Sequence, residues 1–248
     1  MTTSFGALCT DFYINQELSL KMDLPGERET VLGMFDRVRT ELPSMERFHR
    51  YTDELALESP RVEGEYRWLA MRRQSIRSGH VNPPDFAEAY RLHRLILQTA
   101  PYFLSISPLD VDCLELLFGF DLECKANQHE IVHEALIANS PLAELLNYDE
   151  AKALDVQPVI GMALSSKCDV QAFFEVKTRT THTQVRRNRY RTEPISIFLT
   201  IRRYGTIKEP DELLKIFDEL AKHAEHLAQE KVVPHLLMPV NRAIINSP

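Results

Sequence analysis

Residues 129–133 read H-E-I-V-H and match the H-E-x-x-H pattern of zinc-dependent hydrolases. Histidines four residues apart share one face of a helix and can bind one zinc ion, while the glutamate polarises a metal-bound water. A third protein ligand would have to come from an acidic residue shortly downstream. On this hypothesis the ligands are His129, His133 and either Glu144 or Glu150, and the general base is Glu130.

The same segment also has a structural interpretation. Ile131, Val132, Ala135 and Leu136 recur at the spacing of one helix face, which predicts an amphipathic helix with a buried apolar side. The matching stretch of the first half, residues 28–32 (R-E-T-V-L), contains no histidine. We therefore favour a packing role for this helix, with no catalytic residue, metal or cofactor, and keep the zinc site as the alternative.

The most unusual local composition lies further along the chain. Residues 177–191, K-T-R-T-T-H-T-Q-V-R-R-N-R-Y-R, contain six Lys or Arg residues and no acidic residue. We expect them to form a projecting hairpin between two strands. The predicted contact residues are Lys177, Arg179, Arg186, Arg187, Arg189, Tyr190 and Arg191.

Three roles suit this hairpin. Arginine side chains can bind phosphate or carboxylate groups bidentately, and the tyrosine could stack on a base or ring, so the partner would be an anionic ligand or a nucleic acid. The hairpin could also dock on an acidic protein surface, including that of another subunit. In the third interpretation the basic residues only solvate exposed strands and protect an edge from aggregation.

Bulk composition limits the remaining classes. The 248 residues carry a formal net charge of -7, which argues against a surface that is a nucleic-acid footprint throughout. The four cysteines form no C-x-x-C pair, and eight glycines in total make a glycine-rich phosphate loop improbable. The first residues lack the pattern of a signal peptide, and no long apolar run suggests a membrane span. We expect a soluble cytoplasmic protein.

The order of predicted elements indicates an α+β protein. Strands are predicted from alternation and helices from helical periodicity, with boundaries at prolines, glycines and polar clusters. The predicted strands are 10–22, 47–58, 65–77, 110–121, 157–165, 169–185 and 194–204, and the predicted helices are 27–42, 85–99, 128–138, 142–154 and 211–230. This order is typical of a largely antiparallel sheet with helices packed on one face.

The two halves of the chain look like one unit used twice. Residues 71–100 and 200–229 each contain Arg-Arg near a strand end, then Pro-Asp, then a long amphipathic helix. We therefore predict two β-α-β-β-α halves, residues 1–104 and 105–248, packed as one two-lobed body. The sequence leaves open whether the two halves share one sheet.

These observations favour a binding or assembly protein over an enzyme. The predicted contact surface is the arginine-rich hairpin, a homo-oligomer is a possible assembly, and no membrane partner is expected. The alternative function is the zinc-dependent hydrolase centred on residues 129–133.

Overall fold

The computed structural model describes residues 4–25 and 28–247 and contains one large sheet. In these residues nine strands, all antiparallel to their neighbours, stand in the order β2-β3-β4-β5-β1-β6-β9-β8-β7. Pairing of β1 with β6 joins the two halves, so the sheet is continuous. The strands are β1 (Asp11–Leu20), β2 (Arg47–Arg50), β3 (Leu55–Glu58), β4 (Tyr66–Met71), β5 (Ser75–Val81), β6 (Val111–Cys124), β7 (Val159–Ala163), β8 (Val170–Lys177) and β9 (Glu193–Tyr204).

Two long helices, Phe86–Phe103 and Glu212–Leu227, pack on the sheet. The helix Phe86–Phe103 begins where the side chain of Asp85 accepts a hydrogen bond from the backbone N–H of Glu88, a typical N-cap. The helices are α1 (Arg28–Glu41), α2 (Phe86–Phe103), α3 (Gln128–Leu136), α4 (His182–Arg187), α5 (Glu212–Leu227) and α6 (Met238–Asn246). A π-helical segment, Ala228–Leu237, joins α5 to α6. The described part of the chain thus has the predicted α+β class.

The strands of the sheet have one buried face and one face that is partly exposed. Along β1, Phe12, Ile14 and Leu18 are buried, whereas Tyr13 and Glu17 between them are partly exposed. Successive side chains of a strand point to opposite faces, so this alternation assigns the helix-covered core to one face. The apolar residues of α2 and α5 complete that core.

Aromatic side chains cover glycines on the other face. Tyr13 lies directly across from Gly119 on the neighbouring strand, and Trp68 lies across from Gly79. A Cβ atom built on Gly119 would lie 2.1 Å from Cε2 of Tyr13. Because glycine leaves room for the neighbouring ring, these pairs combine a close backbone approach with aromatic packing.

Two predicted strands of the first half are in fact hairpins. The predicted strand 47–58 is β2 and β3, joined by a turn in which the Tyr51 N–H donates to the Glu54 carbonyl at 2.9 Å. The predicted strand 65–77 is β4 and the start of β5, with the Arg72 N–H donating to the Ser75 carbonyl at 2.9 Å. Neither turn contains glycine or proline, so the sequence pattern gave no signal for it.

Two further predictions are corrected at element ends. The strand predicted to extend to residue 185 stops at Lys177, and the helix predicted over 142–154 is a 3-10 turn, Pro141–Leu146. Of the helix predicted from 27 to 42, Glu27 lies outside the described residues. Within the residues that the structure describes, no helix is both long enough and apolar enough to cross a membrane.

Candidate functional site

The arginine-rich segment connects β8 to β9, which are antiparallel neighbours as the predicted hairpin requires, but the connection is a loop that contains a short helix instead of a simple turn. Thr181 and Gln184 form a capping box, in which the Thr181 N–H donates to Oε1 of Gln184 at 2.6 Å and the Thr181 hydroxyl caps the Gln184 N–H. This pattern begins α4 because it satisfies backbone donors that a helix start leaves free. Asn188, at φ 48°, ends α4 in the left-handed region.

The side chain of Gln128, the first residue of α3, is hydrogen-bonded to the backbone at both ends of this loop. Its side chain is 1% exposed. Oε1 accepts the backbone N–H of Arg179, and Nε2 donates to the carbonyl of Glu193 at 2.7 Å. In the middle of the loop Val185 is buried at 2% exposure. These contacts hold the backbone that carries the basic side chains.

The loop lines a cleft of about 470 Å³, which we call the arginine cleft. Its open shape leaves the polar ends of the lining side chains accessible to a ligand. The lining residues are Arg179, Thr181, Thr183, Gln184, Arg187, Arg189, Tyr190, Arg191 and Glu193.

The cationic charge of the arginine cleft has little internal compensation. In the part of the chain that the structure describes, no carboxylate lies within 4.0 Å of any of the four lining arginines, although Arg202 and Arg203 on β9 are both paired with acids. Arg179 donates to the carbonyl of Pro194, which is neutral. The lining holds one carboxylate, Glu193, against these four arginines, so the arginine cleft has a net positive charge in an acidic protein.

Tyr190 supplies the aromatic group of the arginine cleft. Partial burial, together with the negative charge of nearby Glu130, raises the pKa of its phenol. The hydroxyl therefore stays protonated at neutral pH and can donate a hydrogen bond, while the ring offers a face for stacking.

The structure brings together most, but not all, of the predicted contact residues. The lining of the arginine cleft includes Arg179, Arg187, Arg189, Tyr190 and Arg191. The other two residues lie outside it: Lys177 is 3.7 Å from Glu175, and Arg186 is exposed on α4 but does not belong to the lining.

Sequence reasoning missed the polar residues of the lining, Thr181, Thr183, Gln184 and Glu193. The pattern T-H-T-Q at residues 181–184 is a capping-box signature and could have shown that a helix starts here. The position of Glu193 could not be read locally, because it follows the loop and belongs to β9.

His129 is a buried residue whose two ring nitrogens both lie within hydrogen-bond distance of protein groups. Its side chain is buried at 3% exposure, and Nε2 lies 3.0 Å from the carbonyl oxygen of Thr180. Nδ1 lies 3.1 Å from the backbone nitrogen of Val156 and 3.1 Å from the hydroxyl of Thr178. A backbone N–H can only donate, so Nδ1 accepts and the neutral ring donates from Nε2. Both nitrogens already bind protein groups, and a metal would have to displace them.

The remaining residues of the zinc hypothesis are not arranged around a common point. Glu144 is exposed on the 3-10 turn and accepts a hydrogen bond from Asn147 at 2.9 Å. Among the described residues, no group of three His, Cys, Asp or Glu side chains is placed to hold a metal ion. The geometry therefore gives no support to the zinc alternative, while the buried Ile131 and Val132 agree with a packing role for α3.

A serine–histidine contact also occurs in the core. Oγ of Ser78 lies 2.7 Å from Nδ1 of His93, a distance that suits a nucleophile and its base. Both side chains are 0% exposed, and Ser78 is also hydrogen-bonded to Gln16. A substrate cannot reach this pair, so we assign it to the packing of α2 on β5.

No known protein family and no curated protein matches this chain. The geometry and charge of the arginine cleft are therefore the observations that bear on function.

Proposed function

We propose that the protein is a non-enzymatic binding or assembly protein that holds an anionic group in the arginine cleft. The observation that carries this proposal is the set of four lining arginines without a carboxylate partner. A guanidinium group offers paired N–H donors that match the oxygens of phosphate or carboxylate. The four free thiols of the protein suit action in the reducing cytoplasm.

The shape of the arginine cleft favours a ligand group that enters it over simple solvation of the loop. Its volume of about 470 Å³ lies within the range of roughly 300–1,000 Å³ usual for ligand pockets. Anchoring by Gln128 fixes the loop before binding, which lowers the conformational entropy lost with the ligand. The ligand class is an anion with phosphate or carboxylate groups, including a nucleic-acid phosphate or an acidic side chain.

The test is a binding titration of the full chain with tripolyphosphate, followed by calorimetry. Arg187→Ala and Arg189→Ala should each weaken binding about tenfold, because the loss of one charge-assisted hydrogen bond costs roughly 1.5 kcal/mol. Arg186→Ala is the matched control, since it removes the same charge from α4 outside the cleft lining. An equal effect of all three variants, or no binding by the parent, would overturn the proposal.

Salt dependence identifies the type of partner. A single-stranded oligonucleotide held by all four arginines should lose affinity with a slope of about -2.8 in log K against log salt, from about -0.7 per contact. An acidic peptide serves as the protein-surface arm of the same experiment. The partner class is that of the probe with the highest affinity, provided that Arg187→Ala weakens its binding and Arg186→Ala does not.

The sheet topology supports the proposal that the two halves are repeats. β1 and β6 are antiparallel neighbours at the centre, and a two-fold axis between them would exchange β5 with β9 and β4 with β8. Glu17 faces Arg77 on β5, and Glu115, which lies directly across from Glu17, faces Arg202 on β9. This relation matches Arg202 with Arg77. The Arg-Arg pairs of the two sequence segments, 72–73 and 202–203, would instead have matched Arg202 with Arg72. An experimental structure in which β1, β5 and β4 fail to superpose on β6, β9 and β8 would refute the duplication.

A further inference from the structure

The two edges of the sheet differ sharply in chemistry. One edge strand, β2, reads R-F-H-R and places basic side chains along the edge, a common protection against pairing with another strand. The other edge strand, β7, reads V-I-G-M-A and is uncharged over its whole length. Val159 and Ile160 are 59% and 65% exposed, and Met162 is 39% exposed. An edge of this kind is unusual unless another strand covers it.

The free hydrogen-bonding groups of β7 follow from its pairing with β8. The Leu164 N–H donates to the Val170 carbonyl at 2.8 Å, and the Val176 N–H donates to the Pro158 carbonyl at 3.0 Å. Alternate residues of an antiparallel strand direct their backbone groups to the same neighbour, so the N–H and C=O groups of the even-numbered residues of β7 point toward β8. Val159, Gly161 and Ala163 therefore direct their N–H and C=O groups away from the sheet.

We propose that β7 pairs antiparallel with β7 of a second copy of this chain, about a two-fold axis at Gly161. In this register the two position numbers sum to 322, so Val159 lies opposite Ala163 of the second copy and Gly161 lies opposite Gly161. All three residues with outward groups then form hydrogen-bonded pairs, and three pairs with two bonds each give six bonds. The two sheets become one continuous sheet.

Side chains at the contact are compatible with this register. Ile160 lies opposite Met162 of the second copy, so two exposed apolar groups cover each other. On the other face the ring of Phe173 lies against Gly161, where a Cβ would be 2.7 Å from Cε1 of Phe173. Each copy contributes this apolar surface next to the two-fold axis.

Charge favours a second copy over an unrelated extended peptide. The strand itself has no charge, so self-pairing brings no like charges together. Exposed Asp155 lies shortly before β7, and exposed Lys167 lies in the turn shortly after it. Two-fold pairing thus brings the acidic flank of one copy toward the basic flank of the other, at both ends of the contact.

The first test measures the mass of the full chain in solution by analytical ultracentrifugation over a concentration series. The parent chain should sediment as a dimer, and Ile160→Lys should raise the dissociation constant at least about tenfold because it places an ammonium group against an apolar side chain. Val62→Lys is the matched control, since Val62 is 61% exposed and lies outside β7. A monomeric parent, or a dimer that Ile160→Lys leaves unchanged, would overturn the proposal.

The second test reads the register directly. In a Cys168→Ser background, which removes the exposed native thiol, a mixture of Ile160→Cys and Met162→Cys chains should form a disulfide between unlike chains under mild oxidation. Facing residues in a non-hydrogen-bonded pair have Cα atoms about 4.5 Å apart, within disulfide reach. Ile160→Cys alone should cross-link much less. Equal cross-linking of like and unlike chains would refute this register. Failure of this test leaves the proposal on the arginine cleft unaffected, because the two use different residues.

Discussion

Lowering the pH should destabilise the fold through His93. This residue lies on α2 at 0% exposure. Burial, followed by the repulsion of nearby His80, lowers the pKa of its imidazole from 6.5 to about 3. The folded protein therefore keeps His93 neutral, whereas an unfolded chain binds a proton near pH 6.5. The contribution to stability is complete above pH 6.5 and is lost progressively as the pH falls toward 3.

The expected loss at pH 5 follows from these values. pH 5 lies 1.5 units below the ordinary pKa of 6.5, and each unit corresponds to about 1.36 kcal/mol, so the loss is about 2 kcal/mol relative to pH 7.5. This amount is a large fraction of the roughly 5–15 kcal/mol by which a typical domain is stable.

Urea unfolding at pH 7.5 and pH 5 measures the effect. His93→Gln should lower stability at both pH values, since Gln fills the site less well, but its loss between them should be about 2 kcal/mol smaller than that of the parent. His235→Gln, at an exposed position, is the control and should behave like the parent. If His93→Gln is not folded, the ring of His93 is followed by NMR in the parent. A protonated His93 ring at pH 5 in the folded protein would refute the reasoning, as would an unchanged pH dependence in the variant.

Two other substitutions test the packing directly. Gly119→Ala should destabilise the fold by about 1–3 kcal/mol in urea unfolding because the new methyl group meets the ring of Tyr13. Gly6→Ala, with no atom within 4 Å of its Cβ, is the control and should cost much less. Equal costs would contradict the close approach of Tyr13 to Gly119. His129→Ala should cost roughly 2–4 kcal/mol because it leaves buried groups without partners, whereas exposed Glu144→Ala should have little effect. A stoichiometric zinc content in the parent that His129→Ala abolishes would instead restore the hydrolase alternative.

Local sequence patterns were sufficient to find the arginine cleft but not to describe it. Its arginines are neighbours in the chain, so the run of basic residues between 177 and 191 identified the segment that lines the cleft. The strand formers in that run predicted a hairpin, but the capping box of Thr181 and Gln184 gives α4. The anchor Gln128 is 51 residues from Arg179, and no local pattern connects them.

The same division holds for the fold. Alternation in β1 and the helical periodicity of α2 are set by side chains a few positions apart, so the sequence alone determined these elements and the α+β class. Only the tertiary structure decided that β1 lies beside β6 and that β7 is left as an edge. The tertiary structure also decided that His129 is hydrogen-bonded to Thr180 in a buried site. These outcomes depend on burial and pairing between segments distant in sequence, and only the folded chain brings those segments into contact.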